Sequence, residues 1–435
     1  MLLTIAIVSF VVFLLVGMPV LFALAGSSIL AIAFASDLPL MLVAQRMVAQ
    51  VDSFTLLAVP LFIFAGTIME LGGISARLVA FANCLVGHYR GGLAMACVLS
   101  SMIISGVSGA SAADASAIGS ILIPAMIARG YGKPFAASIQ AAAATMGPMI
   151  PPSNLAIIYA VIANVSIGKL FVGGIVPGVM IGISLIIMSH FYAIKYGFPV
   201  EKKATLRETW IAVREASWAL MAPVIILGGI ISGVFTATES GAIAIVYALI
   251  VSMFIYRELS WRQLGKALLD SALTTAMVML VIAAAGVFSW LLANENVPQL
   301  TREFLLGVSE NPHVILFLIL ALMLVIGCVM EIVAAGIIMI PVLYPIASHF
   351  GFDSTYFAVL VMMTMAIGAV TPPIGVTLYV TLGIAQTSLS SVNRFIWPMV
   401  GMLLLVLVIC ALFPPLITFL PDYFFGAETP KTVSK

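Results

Sequence analysis

Apolar residues run in long stretches from one end of the chain to the other, and polar residues gather in short intervals between them. Stretches of roughly 15 to 25 apolar residues predict membrane-spanning helices, because about 20 such residues cross a hydrocarbon core. In the first half the pattern predicts a helix pair around 2–36, with Gly17 and Pro19 leaving open whether it is one helix or two, then a polar connection and a span at about 54–72. An interrupted segment at 91–128 follows, then a helix at 134–163 that carries two adjacent prolines, and a last helix at about 171–194. The second half predicts segments at 218–256, 272–293, 314–348, 354–386 and 395–420 in the same roles. The expected fold class is an all-α polytopic membrane protein with two sets of five crossings.

In GPMIPPSNLAIIY, Pro151 and Pro152 are followed by Ser153 and Asn154 inside an otherwise apolar segment. Proline lacks a backbone donor and clashes with the preceding turn, so the helix should break there and leave carbonyls without partners. A bilayer tolerates such a break only where it lines a cavity or is buried in protein. The stretch IGAVTPPIGVTLYV repeats the feature 221 positions later, with Gly147 on Gly368 and Pro151 and Pro152 on Pro372 and Pro373; Pro177 falls on Pro398 at the same spacing. Upstream, a spacing of 217 lays ILIP, ending at Pro124, over IMIP, ending at Pro341, and with it Asp114 over Glu331. Asp52, Ser53 and Gly17 fall near Asp270, Ser271 and Gly233. This shared order and nearly constant spacing predict a duplicated transporter, and an odd number of crossings per half inverts the second repeat.

The expected organisation is a first repeat over 1–200, a cytoplasmic linker over 201–217, a second repeat over 218–421 and a polar tail over 422–435. Cytoplasmic loops carry the Lys and Arg excess. The linker region holds Lys195, Lys202, Lys203, Arg207 and Arg214, and tracing outward puts Arg77, Arg90, Arg129, Lys133, Arg257, Arg262, Lys266 and Arg394 on the same side. The opposite side receives Asp37, Arg46, Asp52, Lys169, Glu295, Arg302, Glu303, Glu310 and Asp353. Because both flanks of the 91–128 segment prefer the cytoplasm and its middle reads SGVSGAS, a re-entrant hairpin turning near the midplane is expected, with a counterpart turn near 327–329 entering from the other face. An ordinary helix pair with a tight small-residue crossing is the competing expectation. Amphipathic intervals at 74–90, 198–216 and 257–270 are expected at the interface.

Two hairpin tips and two broken helices would place half-helix ends at one depth. Helix N-termini attract anions, and freed carbonyls and helix C-termini attract cations. The Pro-Pro breaks release backbone oxygens, and Ser153, Asn154, Thr371 and Thr377 add side-chain oxygens, a set suited to a hard cation rather than to zinc or copper. Ser105, Ser108 and Ser111 could complete the first site, whereas the second tip is poorer in hydroxyls and would lean on main-chain oxygens. Asp114 and Glu331 are ionisable residues inside apolar segments, candidates either for ion or substrate contact or for support of the hairpin. Glu239, in TATES, reads as a surface turn residue and Glu70 as a helix-end residue. With no Lys or Arg in mid-membrane, an anionic substrate would rest on hydroxyls, amides and helix dipoles, helped by bound cations.

Composition narrows the classes. The chain is 63% hydrophobic and 8% charged with a net charge of +1, and without a basic tract it offers nucleic acid no footprint. Cys84, Cys97, Cys328 and Cys410 are widely spaced and read as small core residues. His88, His190, His313 and His349 never fall into a metal-binding spacing, and no nucleophile elbow, Ser-Lys pair or phosphate-cradling loop is present, so an enzyme is disfavoured and energy must come from an ion gradient or a partner. The start, MLLTIAIVSFVVFLL, lacks a basic n-region and reads as a retained span. Two alternatives stay open: a channel, and a proton-coupled carboxylate transporter or exchanger working without a binding protein.

SGVSGASAADASAIGSILIPAM, MGPMIPPSNLAIIYA, GCVMEIVAAGIIMIPVLYPIA and GAVTPPIGVTLYV together closely resemble the large membrane subunit of tripartite ATP-independent periplasmic (TRAP) transporters, the DctM-like family, over essentially the whole chain. The resemblance implies a sodium-coupled importer of organic acids, C4-dicarboxylates or sialic acid, in the bacterial inner membrane, with no cofactor beyond the coupling ion. It implies a small four-helix membrane subunit as partner, not fused to this chain, and a periplasmic substrate-binding protein that delivers the ligand. It also implies an elevator mechanism, with both hairpins and both broken helices in a mobile domain. Carried onto this sequence, the sodium and substrate positions are Ser105, Gly106, Ser108, Gly109, Ser111 and Asp114, then Pro151, Pro152, Ser153 and Asn154. In the second half they are Gly327, Val329 and Glu331, then Thr371, Pro372, Pro373, Gly375 and Thr377.

Overall fold

The computed structural model describes residues 1–200 and 202–427; Glu201 in the expected linker and 428–435 of the expected tail lie outside the described residues. Helices account for all the regular structure among the described residues, and nine of them are long and apolar enough to cross a membrane. The first 36 residues form two helices, Leu2–Leu15 and Val20–Ala35, because Gly17 turns the chain at φ +84° and Pro19 fixes the entry to the second.

Hairpins and broken helices recur as expected. The first hairpin is Gly92–Ser108 with Ser111–Ala128, followed by Lys133–Ala144 and Asn154–Ala163 on either side of the first Pro-Pro pair. The second is Pro312–Val329 with Ile332–His349, followed by Ser354–Gly368 and Val376–Ala385. The second arm of each hairpin packs against the far half of the other repeat's broken helix: Ser111–Ala128 against Val376–Ala385, and Ile332–His349 against Asn154–Ala163. The repeats therefore interlock. The close approach relies on small side chains such as the buried Ala141, Ala142, Ala143 and Ala144, since helices in lipid associate through packing rather than hydrophobic exclusion.

The structure corrects the register of the hairpins. Ser111–Ala128 and Ile332–His349 start and end 221 positions apart, the spacing of the Pro-Pro pairs, not 217. Pro124 thus matches Pro345 rather than Pro341, and Asp114 matches Ala335 rather than Glu331. Pro341 and Pro345 lie one helical turn apart, so both registers preserve the helix face and only the hairpin ends distinguish them.

A second group of helices flanks this block. Val20–Ala35 packs against Trp261–Asn294, Ala58–Leu71 packs against Ala237–Leu249, and Ala58–Leu71 also meets Trp261–Asn294, where the Ser271 hydroxyl donates to Thr67 Oγ1 at 3.0 Å. Here the halves differ. The second has one helix, Trp261–Asn294, where the first has Met41–Val51, a bend at Asp52 and Ser53, and a 3₁₀ turn leading into Ala58–Leu71.

Several expected boundaries move for identifiable reasons. Of the intervals read as interfacial, 257–270 enters a long helix at Trp261, behind a capping box of Ser260 and Gln263. The 198–216 interval, and with it the linker, gives way at Leu206 to Leu206–Ile231, started by a Thr205–Glu208 capping box. Only 74–90 yields a separate helix, Ile74–Val86, with Ile74, Leu78, Val79 and Ala82 buried on one face. An amphipathic helix that was not anticipated, Val297–Val308, occupies the equivalent place in the second half and buries none of its residues. Pro414 splits the last segment into Leu389–Leu412 and Pro415–Phe425, so residues 422–425 end a helix rather than begin a tail.

Contacts across the chain group the charges by side. Gly91 lies against Ser189 and Ala193, the Tyr131 ring packs at a tilt on Phe198, and Arg77 pairs with Glu258 at 2.7 Å, all at the linker end. At the other end Lys169 Nζ donates to the Gly426 carbonyl at 2.9 Å and Gln50 lies against Gly286.

Candidate functional site

The first hairpin turns at Gly109, whose φ of +64° only glycine adopts without strain, and a Cβ there would sit 2.3 Å from the Pro152 carbonyl oxygen. The Asn154 amide donates to the Gly109 carbonyl at 3.4 Å, so the tip is fastened to the proline break. Gly147 closes the other side: a Cβ on it would meet Asp114 Oδ2 and the Ser111 nitrogen, each at 2.9 Å. Both Pro-Pro bonds are cis.

Asp114 lies one turn into the second arm and is fully buried. Its Oδ2 accepts from the Ser105 hydroxyl at 2.7 Å and its Oδ1 from the Ser108 hydroxyl. The Asp114 backbone carbonyl accepts from Gln140 Nε2 at 3.1 Å, and Gln140 Oε1 accepts from the Cys97 thiol at 2.7 Å. Among the described residues, no Lys or Arg pairs with Asp114. The buried Ser111 hydroxyl makes no hydrogen bond. Ser153 caps Asn154–Ala163 by accepting from the Ala156 amide at 3.2 Å, and a Cβ on Gly106 would lie 3.5 Å from the Pro151 carbonyl oxygen. The structure thus gathers Ser105, Gly106, Ser108, Gly109, Ser111, Asp114, Pro151, Pro152, Ser153 and Asn154 into one cluster. A buried carboxylate surrounded by hydroxyl and carbonyl oxygens, with no basic partner, is a donor set for a hard monovalent or divalent cation.

The second cluster repeats the backbone plan without the carboxylate. Gly375 donates its amide to the Cys328 carbonyl at 3.0 Å, and Gly327 meets Gly368 so closely that a Cβ on Gly368 would lie 2.8 Å from the Gly327 backbone. The Thr371 hydroxyl donates to the Ile367 carbonyl at 2.7 Å, and Thr377 is buried with its amide on the Ala369 carbonyl at 3.0 Å. Glu331, read from the sequence as the counterpart of Asp114 and as a candidate for either contact or hairpin support, is placed at the start of the second arm. It is exposed and caps its own helix, Oε2 accepting from the Ala334 amide at 2.9 Å. Val329 and Pro373 are exposed as well, and Pro372 is partly buried.

Beside the first cluster lies a cavity of about 200 Å³ between the two groups of helices. Ser108, Ala110, Ala113 and Asn154 line it on one side, and Thr67, Glu70, Ser75 and Thr274 on the other. Helices beginning at Ser111 and at Asn154 both start at this cavity, which brings two positive dipole ends to it. Thr67, Glu70, Ser75 and Thr274 were missed by sequence reasoning, Glu70 having been assigned to a helix end. Their polarity at the edge of apolar spans was the available signal. Gln140, a single amide in the run AASIQAAAA, carried a clearer one.

Interlocked hairpins, paired breaks and a cavity between two helix groups define a multi-pass membrane transport protein rather than an enzyme. The profile described as "Tripartite ATP-independent periplasmic transporter, DctM component" matches residues 7–416, and the chain belongs to that family of inner-membrane proteins. It is 41% identical over 418 residues to the isethionate TRAP transporter permease protein DctMQ of Oleidesulfovibrio alaskensis, covering 96% of this chain and 65% of that longer protein. It is 37% identical to the sialic acid TRAP transporter large permease protein SiaM of Vibrio cholerae, covering 94% of this chain and 96% of the relative. Among solved structures, the YdaH transporter of Alcanivorax borkumensis shares the fold at a TM-score of 0.61 and 16% identity, covering 86% of this chain and 87% of that one.

Proposed function

We propose that this chain is the large permease of a sodium-driven importer of an organic acid, working with a small four-helix membrane subunit and a periplasmic binding protein that hands over the substrate. The observation that carries the reading is the buried Asp114 carboxylate, held by Ser105 and Ser108 beside the broken backbone at Pro151 and Pro152, with no basic partner among the described residues. In a low-dielectric interior such a charge calls for a cation, and oxygen donors suit sodium. A filled ion site would stiffen the tip that also forms one wall of the adjoining cavity, and so couple ion binding to substrate binding there. The two helix N-termini at that cavity supply the attraction for a carboxylate. An elevator motion fits the division into a hairpin-bearing block and a flanking group of helices with the cavity along the seam. The names of the relatives, isethionate and sialic acid among them, support a small organic anion as cargo.

Uptake by proteoliposomes carrying both membrane subunits, supplied with binding protein and labelled acid, tests this. Transport should require an inward sodium gradient. Uptake that continues undiminished with potassium in place of sodium overturns sodium coupling, and currents or fluxes far above about 10³ per second would favour a channel.

A further inference from the structure

The same seam holds a second, larger cavity at its other end, about 440 Å³ in volume and within the size range of small-molecule pockets, roughly 300–1,000 Å³. Its polar lining is Arg46 and Gln50 from Met41–Val51 with Ser289 and Trp290 from Trp261–Asn294; Ile162 and Ile337 of the hairpin-bearing block close it. Arg46 lies on the side of the molecule that carries Asp37, Asp52, Glu295, Glu303 and Glu310, yet it pairs with none of them. Its guanidinium sits 4.9 Å from the centre of the Trp290 ring, which leaves its hydrogen-bonding fork for another ligand. A neighbouring cavity of about 160 Å³ shares Pro298 with it and is lined by Arg302 and His349. Arg302 Nε is buried and makes no hydrogen bond. Two arginines without a carboxylate ion-pair partner among the described residues therefore flank Pro298, on a side of the molecule where acidic residues outnumber basic ones.

We propose that the Arg46 cavity is a capture site for an organic carboxylate, remote from the Asp114 cluster, with the guanidinium binding the acid group in bidentate fashion and Trp290 and the isoleucines receiving its carbon skeleton. The inference rests on the cargo being an organic acid. Arg46 acts here where the midplane site has no basic residue: it collects an anion from the aqueous side, against the repulsion of the surrounding acids, before the hydroxyl and helix-dipole site receives it.

The test does not run through transport. Protein labelled with 5-fluorotryptophan is placed in phosphatidylcholine nanodiscs, and the Trp290 fluorine resonance is assigned by its loss in Trp290→Phe. Titration with succinate, isethionate or N-acetylneuraminate should shift that resonance saturably with at least one acid. Arg46→Gln should weaken the effect about tenfold or more, and Arg46→Lys should keep part of it. The other four tryptophan resonances report whether each variant is folded. A Trp290 resonance that no acid moves, or that moves equally in Arg46→Gln, overturns the proposal. So does one that responds to phosphatidylglycerol in the disc and not to the acids, which would make the cavity a lipid site. A Trp290 response that persists when sodium-dependent uptake fails leaves this inference standing and removes the reading of the Asp114 site instead; uptake with a silent Trp290 does the reverse.

Discussion

Two hairpin-and-break units share one register and one backbone plan, yet one is sealed and the other open. In the first, Pro151, Pro152, Ser153 and Asp114 are all buried, and Ile74–Val86 packs along the first hairpin arm. In the second, Val329, Glu331, Pro373 and Ile374 are exposed, and no residue of Val297–Val308 is fully buried. The difference lies in where each carboxylate sits relative to the turn. Glu331 stands at the cap position and satisfies a helix amide while facing outward; Asp114 stands one turn further in and folds back onto two serines. A duplicated scaffold can thus carry two chemically different sites, and a buried charge marks the one whose environment needs compensation.

The largest expected contrast comes from the two carboxylates. Asp114→Asn should abolish sodium-dependent uptake, a loss of at least about 100-fold for a buried charge-assisted ligand, while Glu331→Gln should leave it nearly unchanged. Uptake assays on both variants check this, and equal losses would erase the distinction. Next come the close backbone approaches. Gly147→Ala and Gly368→Ala should each lower stability by about 1–3 kcal/mol, because the new Cβ meets the Ser111 backbone nitrogen in one case and the Gly327 backbone in the other, whereas Gly383→Ala, facing open space, should be near neutral. Thermal denaturation in detergent measures all three, and a neutral Gly368→Ala would mean that the second hairpin does not pack closely on its break at Gly327. Thr274→Val, at the cavity wall, should raise the apparent KM for the acid several-fold with unchanged thermal stability, as loss of one neutral hydrogen bond of about 1 kcal/mol would. The smallest effect is at the caps: Ser153→Ala and Glu331→Ala should each cost about 1 kcal/mol of stability, in the first unit with reduced transport and in the second without it.

The breaks were legible because proline cannot donate a hydrogen bond, so Pro151, Pro152, Pro372 and Pro373 had to interrupt their helices wherever the chain went. Gly147 and Gly368 repeated with them, although what requires them is the close approach of each hairpin tip, a tertiary contact. The hairpin register was misread by one turn because Pro341 and Pro345 offer the same face twice, and no local rule separates them. Glu70 was invisible as a site residue since its position beside Ser108 and Asn154 is a tertiary contact between segments far apart in sequence. The break at Pro414 followed the same proline rule and was overlooked within an apolar run, while the capping boxes at Thr205 and Ser260 could have set the helix starts that were drawn too late.

Thermal unfolding of the purified chain in sodium chloride against potassium chloride tests the ion site most directly. Sodium at about 100 times its dissociation constant should stabilise the wild type and Glu331→Gln by about 2.7 kcal/mol and leave Asp114→Asn unmoved. A sodium-dependent rise that persists in Asp114→Asn, or one that is absent from the wild type, would contradict a cation site at Asp114.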